Sequence, residues 1–107
     1  MASANGEHRS PFRIGVIGKA EAEYLAITDQ AEDYALEDAV IAGMTELLAR
    51  LGKDPRTFGE PLFRLTKLRM MVRCGAIIPL HIEYGVHDIE PIVIIRKVRW
   101  LVDPATP

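Results

Sequence analysis

The chain holds a single cysteine, Cys74, among 107 residues. That excludes a disulfide framework within the chain, and no Cys/His spacing resembles a zinc site, so neither a metal nor another cofactor is expected. A reducing, cytoplasmic compartment is the matching expectation. Long apolar runs are missing too. None approaches the roughly 20 residues that a membrane helix needs, and residues 1–11 lack the apolar centre of a signal peptide, so no membrane partner is expected. Neither sign of charge dominates: the net charge is −2, which argues against indiscriminate binding to nucleic acid.

The even balance hides an asymmetry. Residues 1–50 carry nine acidic against four basic side chains, whereas residues 51–107 carry six acidic against nine basic. Arg64, Lys67, Arg69 and Arg73 fall between Pro61 and Ile82 with no acid among them, and Arg96, Lys97 and Arg99 repeat the pattern between Pro91 and Val102. Such cations either solvate strand faces and blunt sheet edges or meet an anionic partner.

Hydrophobic periodicity predicts one α+β domain over 12–102, after a leader at 1–11 and before a tail at 103–107. Phe12 to Ile17 is β-branched and short, as a first strand would be, and Gly18 ends it. Lys19 to Thr28 has high helix propensity. Asp29, with Glu32 three residues on, forms a capping-box pattern that would start a second helix at Gln30. In that longer helix Tyr34, Val40, Ile41, Met44, Leu47, Leu48 and Leu51 make an apolar stripe, and Gly52 supplies the stop. Asp54 to Pro61 is turn chemistry, so a connection is expected there, anchored by Phe58 and Leu62.

Three strands follow, from Leu68 to Leu101. Side chains alternate across a strand, so Leu68, Met70, Val72 and Cys74 share one face while Arg69 and Arg73 share the other. Leu80, Ile82, Tyr84 and Val86 are likewise separated from His81 and Glu83. In the last strand Val93, Ile95, Lys97 and Arg99 alternate with Ile92, Ile94, Arg96, Val98 and Trp100. If the faces register, Arg69, Arg73, His81, Glu83, Lys97 and Arg99 line one surface. The expected order is β-α-α-β-β-β, a helical hairpin packed on an antiparallel sheet.

This order resembles the RelE/ParE toxin superfamily. The resemblance covers about residues 12–101, and its best single motif is the turn Asp54-Pro55-x-x-Phe58-Gly59-Glu60-Pro61-Leu62 between the long helix and a basic strand. It implies a toxin of a toxin–antitoxin pair, with a cognate antitoxin as partner. RelE-like members cleave mRNA on the ribosome without metal; ParE-like members poison DNA gyrase. The match puts Arg69 and Arg73 at cationic positions of the basic strand, His81 where the family carries a strand arginine, Tyr84 at its tyrosine and Arg99 at the arginine closing the last strand. Two departures stand out: His81 replaces the arginine, and no Tyr or His follows Arg99.

A RelE-like site would use Arg73 and Arg99 to stabilise a pentacoordinate phosphate and His81 to carry the proton. Arg64, Lys67, Arg69 and Lys97 would bind RNA phosphates. The alternative is a ParE-like or catalytically inactive relative that acts by protein contact, with gyrase, an antitoxin or a second copy in a homodimer. Glu83 would orient a neighbouring arginine or simply pair with His81. Tyr84 and Trp100 read as core, Cys74 as an inert buried thiol, and His87 has no assigned role.

Overall fold

The computed structural model describes residues 11–105. The expected leader, apart from Pro11, and the last two tail residues lie outside that range. The first strand, β1, spans Arg13–Val16. Helix α1 spans Gly18–Asp33 and helix α2 spans Glu37–Lys53. Four strands follow: β2 Glu60–Leu65, β3 Met70–Ile77, β4 Leu80–His87 and β5 Ile92–Trp100. A single 3₁₀ turn, Thr66–Leu68, separates β2 from β3.

The chain is α+β, with both helices packed on a five-stranded sheet of order β1-β5-β4-β3-β2. Strands β2 to β5 form an antiparallel meander, but β1 runs parallel to β5. The sheet is therefore mixed, and the order gains a strand over the expected one.

The second helix starts seven residues later than the capping pattern predicts, at Glu37 and not at Gln30. Asp29 and Glu32 lie inside α1, which continues because Ile27 and Ala31, one turn apart, bury themselves in the core. Burial of an apolar side chain is worth roughly 1.5–3 kcal/mol for the larger types, more than a local cap supplies. The chain reverses at Tyr34–Leu36, where Ala35 takes φ 55° and the Leu36 N–H returns to the Ala31 carbonyl at 2.9 Å. Tyr34 is thus 44% exposed and outside the stripe. Within α2, Val40, Leu47 and Leu51 are fully buried, while Ile41 and Leu48 stay exposed. Gly52 is a buried helical residue and not the stop.

Strand β2 has no alternation to betray it, since almost every side chain is exposed. It is an edge strand, the place in a sheet where proline is tolerated, and a register shift between Pro61 and Phe63 leaves Leu62 without a partner on β3. Phe58 anchors the preceding turn as expected, at 8% exposure, but Leu62 is 50% exposed.

Register decides which side chains share a face, because directly opposed residues of an antiparallel pair point the same way. Leu80, Ile82, Tyr84 and Val86 of β4 meet Val93, Ile95 and Val98 of β5 beneath the helices. Met70 and Val72 are buried as well, yet they lie outside that core, on the face that no helix covers.

Candidate functional site

The turn after α2 is built as a latch. Asp54 caps the helix, and its carbonyl accepts from the N–H groups of Thr57, at 3.2 Å, and Phe58, at 3.0 Å. Phe58 then stacks on Tyr84, with ring centroids 6.2 Å apart and planes at 17°, while the Arg50 guanidinium covers the Phe58 ring at 4.7 Å. The Tyr84 hydroxyl donates to the Phe58 carbonyl, and Arg73 Nε donates to the same oxygen at 3.2 Å. Arg73 Nη2 reaches the Gly59 carbonyl at 3.0 Å. Burial holds the Tyr84 phenol above its ordinary pKa, with Arg73 partly offsetting the rise.

Two glycines make the latch fit. Gly59 has φ 71°, and a Cβ on it would come within 2.1 Å of the Cys74 carbonyl oxygen. A Cβ on Gly75 would meet the Phe58 ring at 2.5 Å. Within the turn motif Asp54 to Leu62, Gly59 thus has a structural reason, since only glycine admits both the close approach and the left-handed backbone there.

The expected working surface splits in two. Arg73 lies directly opposite Tyr84, so it belongs to the helix-side face, whereas Cys74 opposes Glu83 and Ala76 opposes His81 on the open face. Arg64 opposes Met71 and goes with Arg73. Arg69 sits at φ 54° before β3 begins, outside the ladder. Lys67 is in the 3₁₀ turn, exposed like Arg69, and neither forms an ion pair among the described residues. Of the seven candidate residues, His81, Lys97 and Arg99 are brought together on the open face, as His81 opposes Arg99 and Glu83 opposes Lys97.

On this open face carboxylates already occupy the cations. Arg99 Nη1 donates to Glu23 Oε2 from α1, and Glu23 Oε1 accepts the Val98 N–H at 3.0 Å, capping the stretch of β5 that runs beyond β1. Burial raises the Glu23 carboxyl pKa, but the Val98 N–H, the Arg99 hydrogen bond and the charges of Arg99 and Lys19 outweigh it and hold the group below its ordinary value. Glu83 accepts from Arg96 Nη1 at 2.7 Å and has Lys97 Nζ at 3.9 Å. Arg96 also covers the Phe63 ring at 5.7 Å. Glu83 therefore orients an arginine, one of the two roles expected for it. His81 forms no side-chain hydrogen bond among the described residues; it borders an open cavity of about 260 Å³ lined also by Gly59, Glu60, Cys74 and Ala76.

Strict alternation misplaced Arg96 with the apolar set. A register shift between Glu83 and Tyr84, opposite Lys97 and Ile95, leaves Arg96 as the extra residue, so Ile95 and Val98 both point inward despite their odd spacing. The adjacent pair Arg96-Lys97 between two apolar residues was the available signal. Glu23 carried no comparable signal, because its partner is 76 residues away. Trp100 is half-buried against the core, donating Nε1–H to Gln30 at 2.9 Å, and Cys74 is a free thiol of intermediate burial. His87 Nδ1 accepts the N–H groups of Ile89 and Glu90 at 3.1 and 2.9 Å, which shapes the β4–β5 turn. Among the described residues no three metal-ligating side chains converge, and no helix is long and apolar enough to cross a membrane. No protein-family model and no curated protein matches the chain.

Proposed function

We propose that this chain is a toxin-type protein of the RelE/ParE kind that acts by protein contact, as a ParE-like gyrase poison or a catalytically inactive relative, and not by cutting RNA. One observation carries the choice between the two modes: beside His81, the cations of the open face are engaged by carboxylates, Glu23 for Arg99 and a single Glu83 shared by Arg96 and Lys97, so three positive charges are reduced to a net of one. Metal-free cleavage needs positive charge free to meet the charge that builds on phosphorus. The hairpin supports contact with protein instead. Leu25 is 58% and Ile41 57% exposed, and Val16, Tyr24, Met44 and Leu48 border an apolar cleft between the helices and β5. A cognate antitoxin and a cytoplasmic location go with this proposal.

Inducing the chain should arrest growth while leaving transcripts intact, and the purified protein should inhibit gyrase supercoiling if the ParE-like form holds. Arrest with neither effect assigns the contact to another protein. RNA cleavage is favoured by one observation, the place of His81 at a cavity wall across from Arg99. Truncated transcripts that vanish in His81→Ala, with His81→Arg equally silent, would replace the contact mechanism by proton transfer through His81. If His81→Arg cuts as well as the parent, the histidine acts as a cation only.

A further inference from the structure

At the opposite end of β4, on the helix-side face, a second cavity of about 260 Å³ is lined by Arg56, Met71, Arg73, Val86, His87 and Asp88. Its two arginines are held differently from those of the open face. Arg56 Nη2 donates to the His87 carbonyl at 2.9 Å and lies 3.5 Å from the Asp88 carbonyl; among the described residues Arg73 donates to the Phe58 and Gly59 carbonyls and neither arginine forms an ion pair. All of these acceptors are neutral. The one carboxylate of the wall, Asp88, is paired with Arg64. Two guanidinium charges thus share a cavity without compensation, beside the apolar side chains of Met71 and Val86.

A carbonyl fixes a guanidinium without cancelling its charge, and each fork has five N–H groups, more than the carbonyls use. We propose that this cavity is a binding site for a phosphate monoester. The charge selects the ligand class: a monoester carries about −1.5 to −2 at neutral pH and answers both arginines, whereas a carboxylate or a phosphodiester brings only one negative charge. The cavity is smaller than the roughly 300–1,000 Å³ of sites that enclose a whole small molecule, so it takes the phosphate head and leaves the esterified group outside. The site goes beyond the proposed function, since it shares no residue with the hairpin or with the cavity beside His81.

The test is calorimetric titration of the full chain with inorganic phosphate, with uridine 5′-monophosphate and with a uridine dinucleotide that lacks a terminal phosphate. Saturable binding of the first two is expected, with the dinucleotide weaker by about tenfold or more. Arg56→Gln should weaken monoester binding by a similar factor, because Arg56 is exposed and its loss removes one charge-assisted pair. Lys53→Gln removes an equal charge outside the cavity and should leave affinity unchanged. Amide chemical-shift mapping of the parent gives an independent readout, with changes expected at Arg56, Arg73 and Val86 to Asp88. No saturable phosphate binding, unaltered affinity in Arg56→Gln, or shifts centred on His81 and Arg99 would each overturn the site. Equal affinity for the dinucleotide overturns the monoester assignment in favour of a nucleic-acid backbone.

Discussion

Two groups of arginine sit on the two faces of one sheet and differ in what holds them. On the open face, Arg96 and Arg99 meet carboxylates; on the helix-side face, Arg56 and Arg73 meet backbone carbonyls. A carboxylate orients and neutralises, whereas a carbonyl only orients. Charge counted along the sequence makes the two groups alike, but their electrostatic capacity is opposite. The helix-side group also has a second task that the open-face group lacks, because Arg73 and Tyr84 share the Phe58 carbonyl and so fasten the turn that leads into β2.

The largest effect that tests this difference is expected at the latch itself. Phe58→Ala should lower unfolding free energy by about 3–5 kcal/mol, read from denaturant midpoints, since it empties a buried site against Tyr84 and Gly75. Leu62→Ala, four residues on and half exposed, should shift the midpoint little. A comparable loss at both positions would mean that β2, and not the latch, is what anchors the segment.

Arg73→Ala comes next, at about 1–3 kcal/mol, because it removes one of the two donors to the Phe58 carbonyl, in a part-buried place, and the exposed bond to the Gly59 carbonyl. Arg99→Ala should cost no more than about 1 kcal/mol, as its ion pair is solvent-accessible, and that small loss should fade in high salt. If Arg99→Ala proves the more damaging of the two, the structural and surface roles assigned here are reversed.

The smallest effect concerns pH. The folded Glu23 carboxyl has a pKa below its ordinary 4.5, so its stabilising contribution is present above that value and disappears as pH falls through the lower, folded one. Parent and Glu23→Gln should accordingly differ in thermal midpoint at neutral pH and converge in acid. A gap that widens below pH 4.5 is incompatible with the Glu23–Arg99–Val98 cap.

Much of the element content was readable from local pattern. Ile14 and Val16 on a β-branched strand, the 3–4 spacing of Val40, Met44, Leu47 and Leu51, and the parity of Leu80, Ile82, Tyr84 and Val86 each reflect a period fixed by backbone geometry. Where the local rule failed, a distant contact had overridden it. The capping pattern at Asp29 lost to burial of Ile27 and Ala31, β2 was hidden by having no buried face, and one extra residue at Arg96 inverted the parity of half a strand.

The candidate site was less legible for the same reason. His81, Lys97 and Arg99 could be grouped because they lie on adjacent strands with parity intact at that end of the sheet. Arg73 could not, since the register between β3 and β4 sets its face, and a shift of one residue exchanges the two faces. By itself the sequence determined that two helices precede the meander, most strands, the acidic and basic halves and the turn from Asp54 to Gly59, all of which follow from neighbours within a few residues; Glu60 and Pro61, expected in that turn, instead open β2. Only the tertiary structure decided which cations are neutralised and which are not, because Glu23, Glu83 and the carbonyls of Phe58, Gly59 and His87 reach their arginines across the fold, and charge acts through space and not along the chain.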